Sequence, residues 1–341
     1  MKKIALVLSA LVLISCKNTK SVVSADNSDA TKYMNTITAA ELKTHLYIVA
    51  GDEMQGRETG SEGQKKAGQY LINQYKSDKI PFPVGAESYY QKVPADFMNK
   101  KSRGETLPDS ENIWAFIKGS EKPEEIVVVS AHYDHVGMKN GQIYNGADDD
   151  GSGTVALLEI AQAFEIAKKE GHGPKRSILI LHVTGEEHGL HGSRYYSENP
   201  LFPLANTVAD VNIDMIGRRD DLHPQTSDYV YSIGAGRLST DLYNITEEAN
   251  KKYTHLTIDY KYDALDDPNH FYSRSDHYNF AKHGIPVVFF FNGTHPDYHQ
   301  PGDKPDKIEY SALAKRAQLA FVTAWELANR ESRIIVDKDG K

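Results

Sequence analysis

Residues 130–153, SAHYDHVGMKNGQIYNGADDDGSG, carry two imidazoles (His132, His135) and four carboxylates (Asp134, Asp148, Asp149, Asp150) in one glycine-punctuated stretch. The apolar run Ile126-Val127-Val128-Val129 leads into it. Its first residues therefore belong at the C-terminal end of a buried strand. Gly151-Ser152-Gly153 closes the stretch and opens a helical pattern over 154–167, with Val155, Leu158 and Ile166 on one face. In open α/β sheets, ligands bind just beyond the carboxyl ends of strands. Acidic and imidazole groups crowded there repel one another or stay unsatisfied unless a cation sits between them.

Outward from this stretch the chain alternates between strand and helix patterns. Strands are expected at 112–117, 125–130, 177–183, 208–216, 229–233, 256–262 and 286–291. Helices are expected at 39–50, 64–75, 154–167, 192–197 and 238–252, with another starting at 275–277 and a last one at 311–329. Residues 79–111 read as a strand plus surface loops. Such alternation implies an α/β fold, a three-layer sandwich around a central mixed, mostly parallel sheet. No internal repeat or low-complexity linker divides residues 37–332, which are expected to form a single domain.

Composition narrows the function classes. The 341 residues are 40% hydrophobic and carry a net charge of -8, which is against a nucleic-acid partner. No apolar run approaches the roughly 20 residues that span a bilayer. Lys2-Lys3 followed by apolar Ile4 to Ile14 has the form of an export signal, and Leu13-Ile14-Ser15-Cys16 is similar to a bacterial lipobox. Residues 1–16 are thus expected to be a lipoprotein signal, with Cys16, the chain's single cysteine, as the lipid-bearing residue. The polar segment 17–36 is expected to be a flexible tether. Lys17, with no acidic cluster after it, favours a periplasm-facing anchor on the outer membrane.

Five potential ligands stand at or just past expected strand ends: His132, Asp149, Glu187, Asp214 and His299. Successive spacings of 17, 38, 27 and 85 residues each cross at least one element, so separate loops would bring the five to one sheet edge. Two imidazoles and three carboxylates suit zinc, with cobalt or manganese as alternatives. One carboxylate bridging two ions would give each ion three protein ligands.

The motifs AHYDHVG, NGADDDGSG, TGEEHGL, NIDMIGR, SRSDHYNF and DYHQPGD occur here in the order seen in the M28 family of co-catalytic zinc peptidases, and the chain resembles that family from about Asp52 to Ile308. The resemblance implies a zinc-dependent exopeptidase fold and two Zn2+ ions. It implies that Asp149 bridges both ions, with His132 and Asp214 completing one site and Glu187 and His299 the other. Glu186 would be the general base acting on a metal-bridging hydroxide. Asp134 would orient His132, and Tyr272 would help stabilise the tetrahedral intermediate. His135, His188, His191, His277 and His295 match no ligand position in the family pattern and are read as pocket-lining, supporting or surface residues. Arg57 matches a family motif outside the metal set and is read as structural. The implied activity is an aminopeptidase acting on peptides with a free N-terminus. A carboxypeptidase, a glutaminyl cyclase or a non-catalytic metal-binding lipoprotein remain the alternatives. Residues 79–111 are too short to hold the protease-associated domain that larger family members insert.

Overall fold

The computed structural model describes residues 28–101 and 106–340. The expected signal segment and Cys16 lie outside the described residues. The chain runs α1 (Ser28–Met34), α2 (Ala39–Val49), α3 (Glu62–Asp78), β1 (Tyr90–Val93), α4 (Ala95–Asn99), β2 (Ser110–Ile117), β3 (Lys122–His132), and the short strands β4 (Met138–Lys139) and β5 (Gln142–Ile143). It continues through α5 (Gly153–Lys169), β6 (Arg176–Val183), α6 (His191–Glu198), β7 (Thr207–Ile213), β8 (Tyr229–Ile233), α7 (Ala235–Leu238) and α8 (Thr240–Ala249). It closes with β9 (Thr257–Asp259), α9 (His277–Ala281), β10 (Val287–Phe291) and α10 (Tyr310–Asn329).

Eight strands form one sheet in the order β1-β2-β6-β3-β7-β10-β8-β9. Its centre, β6-β3-β7-β10, is parallel throughout, while β1, β2 and β8 pair antiparallel with neighbours. The mixed, mostly parallel α/β sandwich is as expected. The central strands are apolar on both faces because helices cover both. Val127, Val129, Ile178, Ile180, Val211 and Phe290 pack under α2, α3, α5 and α10. Their alternates Val128, Leu179, Leu181 and Val287 pack with Tyr196 of α6 and Phe280 of α9 on the other face.

Local chemistry fixes the helix starts. The Thr38 hydroxyl accepts from the Glu41 amide and donates to the Glu41 carboxylate, and Ser61 caps α3 through the Gln64 amide. Each such cap is worth about 1 kcal/mol.

Both ends of the domain and one strand differ from expectation. Residues 28–34, assigned to the tether, are helical, with Ala30 and Tyr33 fully buried. Tyr33 packs on Trp325 of α10 with ring centroids 5.7 Å apart, and its hydroxyl donates to Glu170 at the end of α5. Polar composition concealed an apolar face only a few residues long. At the other end, Ile334 is buried and Arg333 donates to the Thr207 carbonyl, so the folded body continues past residue 332. The expected strand 256–262 shortens to Thr257–Asp259, since Tyr260 starts a turn closed by the Asp263 amide.

Candidate metal centre

The four parallel central strands end at one edge, and the expected donors follow directly from them. His132 is the last residue of β3, and Asp214 follows β7. Glu186 and Glu187 lie just past β6, and His299 sits in the loop after β10. Asp149 comes from the loop ahead of α5. Register keeps the ends level, with His132 opposite Val183 and Ile213 opposite Phe290.

The structure brings all five expected donors together around the two oxygens of Asp149. His132 Nε2 lies 3.3 Å from Asp149 Oδ1 and 3.6 Å from Asp214 Oδ1. His299 Nε2 lies 3.0 Å from Asp149 Oδ2 and 2.9 Å from Glu187 Oε2. His135, read from the sequence as a non-ligand, also faces this second group, with Nδ1 2.8 Å from Glu187 Oε1 and 3.7 Å from Asp149 Oδ2. Two sets of donor atoms, from His132, Asp149 and Asp214 and from His135, Asp149 and Glu187, each lie within 4.8 Å of one another.

Donors about 2.0 Å from a tetrahedral zinc stand about 3.3 Å apart. The observed contacts bracket that value. Several of these atoms (His132 Nε2, His135 Nδ1, Asp149 Oδ2 and Glu187 Oε1) are buried and have no hydrogen-bond partner. Buried polar atoms normally have one. Converging orphans at ligand spacing fit a metal, and the donor chemistry fits zinc.

The electrostatics agree. Burial opposes charge on His299, yet Asp149 and Glu187 push its imidazole up to about 10. Burial also works against the Asp149 charge, but His132, His299 and His135 hold that carboxyl well below its usual range. Glu186 goes the other way. Burial raises it well above the ordinary value, with Asp214, Glu187 and Asp276 adding to the rise and His132 opposing.

The supporting contacts are specific. Asp134 is fully buried, its Oδ1 3.7 Å from His132 Nδ1, and the same oxygen accepts from the Glu186 amide while Oδ2 accepts from Thr59. Asp134 thus joins His132, whose Nδ1 lies 3.1 Å from the Asp134 backbone carbonyl, to Glu186, whose amide donates to the Asp134 carboxylate. Asp303 accepts from the amides of Asp148 and Asp149, and Asp150 accepts from those of Gly153 and Met215, pinning the aspartate triplet on both sides. Arg57 is fully buried and donates to the carbonyls of Val49, Tyr133, Asn145 and Gly146, clamping the loops that carry His135 and the triplet.

A small pocket opens beside Asp149, Glu186 and Asp214 and is walled by Met215, Phe271, Phe289, Phe291, Thr294 and Tyr298, with Arg274 also lining it. Tyr272 is not among its lining residues. Its ring lies under the Arg237 guanidinium at 3.9 Å, next to His277. Tyr298 lines the pocket and stacks on His299 at 4.0 Å between ring centroids. The signal for Tyr298 was its place directly before His299; for His135 it was the position three residues after His132, in the same loop.

Fold and donor cluster together define an α/β protein built to hold cations at the carboxyl edge of its sheet. The sequence profile of peptidase family M28 matches residues 112–324, and the chain belongs to that family. A probable leucine aminopeptidase of Trichophyton verrucosum is 32% identical over 224 residues, covering 64% of this chain and 57% of that protein. The chain thus spans little more than half the length of this relative. Among solved structures, a zinc aminopeptidase from Bacillus subtilis is similar with a TM-score of 0.65 at 17% identity, over 89% of this chain and 99% of that one. A Bacteroides thetaiotaomicron glutaminyl cyclase is similar with a TM-score of 0.66 at 19% identity, over 85% of this chain and 98% of that one. The fold alone therefore does not choose between peptide hydrolysis and cyclisation.

Proposed function

We propose that this protein is an exported zinc aminopeptidase that holds two ions and removes apolar residues from the N-terminus of peptides. The observation that carries this reading is the aromatic-walled pocket opening onto Asp149, Asp214 and Glu186. Family membership and the named activity of the Trichophyton verrucosum relative support it.

Paired zinc ions in such a cluster supply a water of lowered pKa and an electrophilic partner for a carbonyl oxygen. His132, Asp149 and Asp214 would hold one ion, and Glu187 and His299 with Asp149 the other. Glu186 shares the pocket wall without belonging to either donor set, so its carboxylate is free to take a proton from water and return it to the leaving amine. Asp134 fixes the orientation of His132 and, through the Glu186 amide, that of the base. Tyr298, which lines the pocket beside His299, would donate its hydroxyl to the oxygen that becomes anionic. Phe271, Phe289 and Phe291 exclude water around the N-terminal side chain, while Asp214 and Glu186 at the pocket's inner end offer charge to a free amine.

The test is metal analysis joined to a peptide panel. Two equivalents of zinc and release of leucine or phenylalanine only from free N-termini are expected. Cleavage of N-blocked peptides at a free C-terminus would move the reading to a carboxypeptidase. Cyclisation of N-terminal glutamine without cleavage would move it to a cyclase.

A further inference from the structure

Among the described residues, the pocket beside the donor cluster is lined by carboxylates, apolar and aromatic side chains, and one cation, Arg274. Its inner wall is buried at Met215, Phe289 and Phe291, whereas Arg274 is exposed at the mouth. We propose that Arg274 selects substrates by pairing with a carboxylate on the residue that follows the scissile bond. That group is either the C-terminal carboxylate of a dipeptide or an acidic second side chain. The inference rests on the aminopeptidase reading and adds to it a preference on the far side of the bond being cut.

Arg274 has no acid of its own. Among the described residues its guanidinium pairs with no carboxylate; it donates a long bond of 3.4 Å to the Tyr298 hydroxyl and lies over Phe271, its Cζ 4.9 Å from the ring centroid. The neighbouring acids are taken. Asp263 accepts from Arg237 and the Gly234 amide, and Asp267 from the amides of Asn269 and Phe271. Asp276 is buried and accepts from Ser193. On the loop that carries Tyr298, Asp297 is held by Arg218 and Lys307 at 3.1 and 2.8 Å. Arg218, Arg219 and Arg237 each face a carboxylate of the chain; Arg274 faces the pocket instead. A guanidinium offers two parallel N–H groups that match a carboxylate, so an incoming peptide carboxylate is the group this fork fits.

Position decides which carboxylate it meets. The buried rings of Phe289 and Phe291 give the first side chain an apolar berth, with Asp214 and Glu186 beside it for the free amine. The rest of the peptide leaves through the mouth, past Tyr298 and therefore past Arg274. The arginine is also held ready. Its amide donates to the Phe271 carbonyl, and the next residue, Ser275, is buried and accepts from Asn212 of β7. A charged fork presented on anchored backbone gives up less freedom on binding than a loose one.

Matched substrates test the proposal on the zinc-loaded enzyme. Leu-Ala should be preferred to Leu-Ala-amide, or Leu-Asp-amide to Leu-Asn-amide, by about five- to tenfold in kcat/KM, with the difference in KM. The pair that responds tells a C-terminal carboxylate from a side-chain one. Arg274→Met keeps an apolar stem over Phe271 without the charge and should bring that ratio close to one, while Arg274→Glu should invert it. No preference in either pair, or a preference that survives in Arg274→Met, overturns the proposal. A preference for Glu-Ala-amide over Gln-Ala-amide that alone is lost in Arg274→Met would place the contact on the first side chain and overturn it too. Calorimetric binding of the same peptides to zinc-loaded Glu186→Gln protein, with and without Arg274→Met, separates recognition from activity. An Arg274-dependent preference in binding, with no peptide cleaved by the unmodified enzyme, would leave this inference standing and the peptidase reading fallen. Brisk cleavage with no carboxylate preference would do the reverse.

Discussion

At the scale of single residues, the proposed mechanism separates groups that hold charge from the one that would move a proton. Glu186 lines the pocket without belonging to a donor set, and burial keeps its carboxyl far above the usual range. Glu186→Gln should therefore lower kcat by about 10²–10⁴-fold, the usual worth of a positioned acid–base, while zinc content measured by elemental analysis stays unchanged. Tyr298 and Tyr272 make a paired test. Tyr298→Phe removes the hydroxyl proposed to act as a donor and should cost about 10²-fold in kcat with KM little altered. Tyr272→Phe, whose ring sits under Arg237, should change steady-state kinetics by less than about twofold. Reversal of that order would restore Tyr272 to the role the family pattern implies. Four of the donors were legible because an apolar run that must end at the sheet edge comes before each, as Val183 announces Glu186-Glu187 and Phe291 announces the loop to His299, while Asp149 was legible from the aspartate triplet ahead of a helical pattern. His135 and Tyr298 were not legible in the same way. Their roles depend on how a loop folds back, which for His135 turns on the left-handed Gly146 and the Arg57 clamp, and neither has a periodic signature.

At the scale of elements, two buried polar groups set how the strands and loops respond to substitution and to acid. Arg57 donates to four carbonyls, and the one at Gly146 also accepts from the Gly151 amide. Arg57→Met would strip the guanidinium from the other three as well, and chemical denaturation should register a loss of at least about 3 kcal/mol. Arg57→Lys should not rescue it, because an ammonium cannot span that fork. His182, inside β6, is fully buried against Tyr75, and burial pushes its imidazole down to about 3. The unfolded chain takes up a proton near the ordinary histidine value of about 6.5, whereas the folded chain does not until far lower pH. Stability from this group is thus complete above about pH 6.5 and drains away as pH falls towards 3. His182→Gln should flatten the fall in melting temperature between pH 7 and pH 5; an unchanged slope would show that other groups govern it. The central strands were readable as unbroken apolar runs, since burial on both faces leaves no polar alternation to misread. Residues 256–262 were misread because their period-two pattern suits an edge strand and a turn equally, and the Asp263 amide decides for the turn.

For the whole molecule, the cluster of buried carboxylates makes the fold and the metal interdependent. A ligand that binds only the folded state stabilises it by about 4 kcal/mol at a thousandfold excess over its dissociation constant. Chelation should lower the melting temperature by several degrees, and added zinc should restore it, as differential scanning calorimetry can follow. Truncation tests the other boundary. A chain beginning at Ser28 should melt like the full protein. One beginning at Thr38 loses the buried Ala30 and Tyr33 and should melt several degrees lower.

The docking of α1 also gives the molecule a polarity. α5 starts at Gly153, beside the aspartate triplet, and ends at Lys169, where Glu170 receives Lys32 and Tyr33. Its 17 residues carry the chain about 25 Å away from the donor cluster. α1, where the described chain begins, is therefore docked at the end of α5 away from the donor cluster. A protein held to a surface by that end would aim its pocket outward, towards passing peptides, with its own body as the spacer.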